Sequence, residues 1–121
     1  MGGSVKERNI QNNIRLNCSR GNTRLFVNDQ GVANIGDRTI RYGLGVGTTD
    51  LVGVHTVTIT PEMVGKQIGV AVFAEVKTPT GMIKMHQQDF INQMLKMGAI
   101  AGVVRSVEDM NLLLTAQQQG K

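Results

Sequence analysis

The sequence has very few aromatic residues and a single cysteine. Its 121 residues include no tryptophan, one tyrosine and three phenylalanines. Any core must therefore be built from Ile, Val, Leu, Met and Ala, and such a lean core favours stabilisation by self-association. Because Cys18 is the only cysteine, an intrachain disulfide cannot form, and the disulfide-rich secreted classes are excluded.

Long apolar runs are also missing. The longest ones fall well short of the roughly 18 residues of a membrane span, and the amino terminus lacks the apolar segment of a signal peptide. We therefore expect a cytoplasmic protein that does not attach to a membrane. Thirteen Lys and Arg against nine acids give a net charge of +4. This balance favours polyanionic partners without identifying one.

The apolar periodicity predicts one α/β domain over residues 1–121, with elements in the order α-β-β-β-β-α-β-α. Residues 1–4 are expected to be disordered or a cloning remnant, and residues 118–121 a tail. The predicted helices are 4–21, 82–98 and 107–119, the last capped by Ser106, and the predicted strands are 23–29, 32–43, 51–60, 67–77 and 99–106. The first two strands are expected to form a hairpin. Strand 67–77 is expected to be buried on both faces and parallel to strand 99–106.

A loop with glycine at 43, 45 and 47 separates the second and third predicted strands. Its spacing does not fit the G-x-G-x-x-G pattern of dinucleotide-binding proteins, and no helix follows it. The glycines are instead expected to let this loop approach a partner or DNA backbone closely.

Several polar residues interrupt the apolar pattern of their elements. Asp50 follows the glycine-rich loop, and Glu75 and Lys77 end the strand 67–77, where alternate residues share a face. Gln87 and Glu7 fall on the predicted inward faces of their helices. Each has a simpler interpretation as well: an ion pair for Glu75 with Lys77, a backbone hydrogen bond for Gln87, and a helix cap for Glu7 opposite Ser4.

Together these residues suit the hydrolysis of a phosphodiester with a divalent metal. Mg²⁺ prefers oxygen ligands and takes one or two protein carboxylates, with water and phosphate oxygens as the remainder. Asp50 and Glu75 can supply the carboxylates, and the backbone carbonyl of Val76 a third oxygen. Lys77 would orient a water molecule or stabilise charge on the phosphate.

The stretches "GTTDLVGV", "FAEVKTPTG" and "HQQDFINQMLKMGAIAGVVRSVED" closely resemble the VRR-NUC domain, the virus-type replication-repair nuclease branch of the PD-(D/E)xK superfamily, in its small stand-alone phage or prophage type. The resemblance extends from Glu7 to about Asp109. It implies that Asp50 is the first metal-binding acid, that Glu75 and Lys77 form the Glu-x-Lys motif, and that Gln87 is the helix glutamine. It also implies that Glu7 is the acid of the first helix, binding the metal directly or through water.

The resemblance further implies a restriction-endonuclease-like core, a mixed β-sheet flanked by helices. The implied activity is Mg²⁺- or Mn²⁺-dependent cleavage of branched DNA, with a homodimer resolving four-way (Holliday) junctions in a bacterial or phage-infected cell. One departure is Thr49, which stands where the superfamily name has proline. The alternatives are a flap or single-strand endonuclease with the same site and a non-catalytic DNA-binding subunit.

No base-reading motif is apparent, so DNA is expected to be recognised by its shape rather than its sequence. Candidate phosphate contacts flank the predicted site in sequence. Lys84 is favoured because it begins the helix after the Glu-x-Lys strand, where anions are also favoured. The others are Arg38, Arg41 and Arg105, each of which could equally be a solvated surface charge.

Overall fold

The computed structural model describes residues 5–118 of the chain. The predictions for residues 1–4, including the Ser4 cap, and for residues 119–121 lie outside this range. The chain divides into two compact units, Met1–His55 and Thr56–Lys121. Their content of helices and small sheets is that of a mixed α/β protein. The prediction of one domain over the whole chain stays a prediction.

The first unit contains one helix and two small antiparallel sheets. Its elements are helix α1 (Val5–Cys18) and strands β1 (Thr23–Val27), β2 (Gly31–Ile35), β3 (Arg38–Tyr42) and β4 (Leu51–His55). Strand β1 pairs with β4 from Thr23 opposite His55 to Val27 opposite Leu51. Strands β2 and β3 pair from Gly31 opposite Tyr42 to Ile35 opposite Arg38.

The prediction that strands 23–29 and 32–43 form one hairpin is wrong. The hairpin lies inside the second segment, where Gly36 has a φ of 64° and begins a two-residue Gly-Asp turn. Glycine with positive φ at the first turn position matches the twist of antiparallel strands and favours this tight reversal. Strand β1 then pairs with β4, and residues 56–60 of the predicted third strand fall outside it.

The second unit is organised around two parallel strands. After a short 3-10 turn (Pro61–Met63) come strand β5 (Val72–Val76), helix α2 (Met85–Lys96), strand β6 (Ile100–Val104) and helix α3 (Val107–Gln118). Strands β5 and β6 are parallel, in register from Val72 opposite Ile100 to Val76 opposite Val104. The predicted parallel pair is confirmed.

The buried side chains of the second unit come from α2 and from the segment that includes β6. Ile91 and Met94 lie one helical turn apart on α2, and Met94 is only 1% exposed. They are joined by Ala99, Ile100, Ala101 and Val104. In the described part of the first unit Val54 alone is buried, and Cys18 is exposed. The expectation of a lean core is confirmed.

Strand β5 is not buried on both faces as predicted. Its residues alternate, with Val72 and Val76 exposed on one face and Phe73 and Glu75 half-buried on the other. Among the described residues β5 pairs only with β6, and only one of its faces is covered. A continuous apolar run in the sequence therefore does not distinguish a strand that is buried on both faces from one that is covered on one face only.

Among residues 5–118, no helix combines the length and the apolar character that a membrane crossing requires.

Candidate functional site

Glu75, Lys77 and Gln87 form one cluster in the second unit. Strand alternation places Glu75 and Lys77 on the same side of β5, with Lys77 Nζ 3.6 Å from Glu75 Oε2. Gln87 Nε2 donates to the same oxygen at 3.0 Å. The side chains of Lys77 and Glu75 are 17% and 33% exposed, so the pair lies at the surface without being fully solvated.

The first turn of α2 fixes the orientation of Gln87. The backbone N–H of Lys84, the residue before the helix, donates to Gln87 Oε1 at 3.0 Å, in the manner of a capping box. With the amide oxygen used by the helix start, the amide nitrogen is left to face Glu75. The simpler interpretation of Gln87, a bond to nearby backbone, is therefore correct for its oxygen but does not account for its nitrogen.

Both contacts to Glu75 converge on Oε2. Within the described part of the chain, Oε1 has no hydrogen-bond partner. Glu75 also lines a cavity of about 320 Å³ with Val72, Phe73, Ala74 and Phe90. The two aromatic rings of this cavity pack edge to face, with centroids 5.4 Å apart. The carboxylate is thus anchored through one oxygen and has the other available for a ligand.

Arg105 secures the loop that follows Lys77. Its Nη1 donates to the carbonyl oxygens of Thr78 at 2.6 Å and Gly81 at 2.7 Å, and its backbone N–H donates to Asp109 Oδ2 at 2.8 Å. The backbone N–H of Lys77 donates to Val104 O at 3.1 Å and so continues the pairing beyond β5. Arg105 therefore has a structural contact that its sequence context did not indicate, and its predicted contact with DNA stays a prediction.

The first unit carries Asp50 and Glu7. Both side chains are exposed, so the prediction that Glu7 lies on an inward face is wrong. The apolar stripe of α1 is short, and its Ile10 and Ile14 are themselves 52% and 42% exposed; a helix packed so lightly leaves its neighbouring positions in water. Asp50 immediately precedes β4, as predicted.

Asp50 lines a polar cavity of about 400 Å³. Three residues of α1 at helical spacing, Arg8, Gln11 and Asn12, contribute to its wall. The segment Val27–Gln30 provides the remaining lining. These polar residues were not predicted as site residues; the i, i+3, i+4 spacing of the α1 residues was a signal that could have found them, whereas nothing in the sequence marked Asn28.

Lys84 and Arg41 are exposed, at the start of α2 and in β3 respectively. Of the predicted site residues, the structure brings together Glu75, Lys77 and Gln87, with Val76 between the first two on β5. Asp50 and Glu7 belong to the other unit.

The donor atoms suit a hard divalent cation. Among residues 5–118, His, Cys, Asp and Glu side chains nowhere gather in a group of three that could hold a metal ion. Mg²⁺ and Mn²⁺ do not require such a group, because one or two carboxylates with carbonyl and water oxygens suffice. Glu75, with one anchored and one open carboxylate oxygen, fits this requirement.

The chain was compared with protein-family models, with curated proteins and with solved structures, and none of the three comparisons gives a match.

Proposed function

We propose that the chain is a metal-dependent endonuclease of the VRR-NUC type, with a restriction-endonuclease-like core, that hydrolyses phosphodiesters in branched DNA. The convergence of Lys77 and Gln87 on Glu75 Oε2 is the observation that supports this most strongly. An ion pair that merely ended the strand would not need an amide from a second element to orient its carboxylate. The net charge of +4 suits a nucleic-acid substrate.

Glu75 would hold Mg²⁺ or Mn²⁺ together with the Val76 carbonyl. That Asp50 and Glu7 are further oxygen donors stays a prediction of the resemblance to the VRR-NUC domain. When bound, the ion supplies Lewis-acid polarisation of the phosphate and activation of water. Gln87 keeps the Glu75 carboxylate in one orientation. Lys77, whose Nζ lies 3.6 Å from that carboxylate, donates hydrogen bonds to the attacking water or to a phosphate oxygen and stabilises the charge that develops there.

The substrate that we propose is a four-way junction, cut by a homodimer in the cytoplasm of a bacterial or phage-infected cell. Two identical sites related by a two-fold axis suit the cutting of two opposed strands. A lean core and the many exposed aliphatic side chains, Val46 at 94% and Val64 at 79% among them, support self-association. Lys84, Arg41 and Arg105 are the proposed phosphate contacts.

The test is a comparison of labelled four-way junction, flap and plain duplex DNA, each incubated with the protein in Mn²⁺ and in EDTA. We expect the junction to be cut in Mn²⁺, with symmetric nicks, and to stay intact in EDTA because the chelator removes the ion that the carboxylates hold.

Cutting of flaps alone would keep the nuclease but reject the junction resolvase. Binding of the junction without cutting in Mn²⁺ or Mg²⁺ would reject the enzyme and leave a DNA-binding subunit. A monomeric mass in solution would reject the homodimer.

A further inference from the structure

Asn28 contacts both ends of the glycine loop, defined here as Gly43–Thr49. Its side-chain oxygen accepts from the backbone N–H of Leu44 at 3.0 Å. Its side-chain nitrogen donates to the Thr49 carbonyl at 2.8 Å and to Thr48 Oγ1 at 3.1 Å. The backbone N–H of Asn28 donates to the carbonyl of Asp50 at 2.9 Å. One half-buried residue after β1 thus joins the start of the loop to its end and to Asp50.

The glycine loop has little else to hold it. Gly43, Gly45 and Gly47 all have positive φ, and such residues lose much conformational freedom when a loop is ordered. Within the loop, Thr48 bonds to the Gly45 carbonyl through its N–H at 3.2 Å and its hydroxyl at 2.5 Å. Two more bonds join the loop to residues outside it: Gln30 Nε2 donates to the Thr48 carbonyl at 3.3 Å, and Thr49 Oγ1 donates to the Leu51 carbonyl at 2.9 Å.

Gly43 shows how closely the loop approaches Asn28 and its neighbours. A Cβ added to Gly43 would lie 2.5 Å from the carbonyl oxygen of Asp29. The absence of a side chain at Gly43 thus permits a close approach within the chain itself, whereas the expected approach of this loop to a partner or DNA backbone stays a prediction. Ordering of the loop against the Asn28–Gln30 segment therefore depends on a small residue at 43 and on hydrogen bonds from the segment itself.

Only an amide side chain supplies both the acceptor oxygen and the N–H donors that are bound at position 28. Asparagine offers one oxygen acceptor and two N–H donors, and here both kinds of group are bound. Aspartate would keep the acceptor for Leu44 but lose both donors. Alanine would lose all three side-chain bonds.

We propose that Asn28 is a positioning residue that holds the glycine loop in one arrangement and thereby fixes Asp50 beside the 400 Å³ cavity that both residues line. The second half of this statement rests on the proposed function, in which Asp50 contributes to the binding of Mg²⁺ or Mn²⁺. Asn28 acts through Asp50 and touches neither the metal nor DNA.

The experiment compares Asn28→Ala and Asn28→Asp with the wild type. The control variant is Asn34→Ala, which removes an exposed asparagine of β2 that accepts one bond, from Thr39. Amide hydrogen exchange of Leu44 is followed by NMR, and junction cleavage is measured over a range of Mn²⁺ concentrations. The exchange rate of the Leu44 amide reports whether the loop is held in place. The Mn²⁺ concentration at half-maximal cleavage rate reports whether Asp50 still contributes to metal binding.

We expect Asn28→Ala to speed the exchange of Leu44 and Asn28→Asp to keep it slow, since a carboxylate still accepts from that N–H. We expect the half-saturating Mn²⁺ concentration of Asn28→Ala to rise by about 10- to 100-fold, the range for residues that orient metal ligands. The rate at saturating Mn²⁺ should stay near that of the wild type. A general loss of folding would lower that rate and leave the Mn²⁺ dependence unchanged.

An unchanged Mn²⁺ dependence in Asn28→Ala, or an equal shift in Asn34→Ala, would overturn the positioning role while leaving the nuclease intact. If the wild type cuts none of the DNA substrates, the proposed function fails separately. In that case the amide exchange of Leu44 is the remaining test of the role of Asn28 in the loop. Exchange in Asn28→Ala as slow as in the wild type overturns that role, and faster exchange supports it.

Discussion

Replacing Lys77 by alanine is expected to slow the cleavage of a four-way junction by about 10²- to 10³-fold, the usual effect of removing a group that stabilises transition-state charge. Lys77 is the cation held against Glu75, with its Nζ 3.6 Å from Oε2 and its side chain 17% exposed. Under the proposed function, its loss removes positive charge beside the reacting phosphate and leaves the other proposed phosphate contacts in place. The measurement is the single-turnover rate at saturating Mn²⁺, with junction binding measured separately in EDTA.

Lys96→Ala is the matched control for this prediction. Lys96 ends α2 in the same unit and is exposed, so the variant loses the same charge away from Glu75. Lys96→Ala should cut at close to the wild-type rate. A wild-type rate in Lys77→Ala, or the same loss in both variants, would show that Lys77 has no special part in the reaction.

Replacing Met94 by alanine is expected to lower the free energy of unfolding by about 2–5 kcal/mol, the range for a large buried side chain cut back to alanine. Met94 is 1% exposed and is the largest fully buried side chain of the described residues. With so few buried side chains, a cavity at Met94 removes a large part of the packed core of the second unit. Urea unfolding followed by circular dichroism gives the difference between variant and wild type.

Met85→Ala is the control, because Met85 begins the same helix and is 81% exposed. Its effect should stay within about 0.5 kcal/mol, as for other surface substitutions. If Met94→Ala were as mild as Met85→Ala, Met94 would not be part of a packed core in the second unit.

Local patterns were enough to predict that Glu75, Lys77 and Gln87, which lie on neighbouring elements of the chain, come together. The period of two in a strand placed Glu75 and Lys77 on one side, and the helical stripe placed Gln87 on the half-buried face of α2. The strand–helix–strand order then predicted the parallel pairing of β5 and β6. The contact between Gln87 and Glu75 follows from these three local features.

Pairings across longer distances could not be predicted in the same way. The apolar pattern around Gly36 and Asp37 predicts one continuous strand, and such a strand leaves β1 to pair with the segment that follows it rather than with β4. The role of Asn28 depends on that pairing, because it brings the end of β1 beside Asp50. A polar residue after a strand is ordinary in a sequence, and only its four hydrogen bonds distinguish it.

Glu7 illustrates a different limit. Its spacing from Ile10 and Ile14 predicted that it points inward with them. Helical spacing shows only which residues share a face, and that face is buried only if another element packs against it. In α1 the two isoleucines are about half exposed, and the polar residues Arg8, Gln11 and Asn12 line the cavity instead.

The most direct test of the proposed metal centre is a titration of the isotope-labelled protein with Mn²⁺, followed by paramagnetic broadening of backbone amide signals, in the wild type and in Glu75→Gln. The glutamine keeps the shape of the side chain but removes the charge that binds a hard cation. We predict that the amides of Glu75, Val76 and Lys77 broaden first in the wild type, and that this broadening requires far more Mn²⁺ in Glu75→Gln. Broadening centred away from β5, or unchanged in the variant, would contradict a metal centre at Glu75.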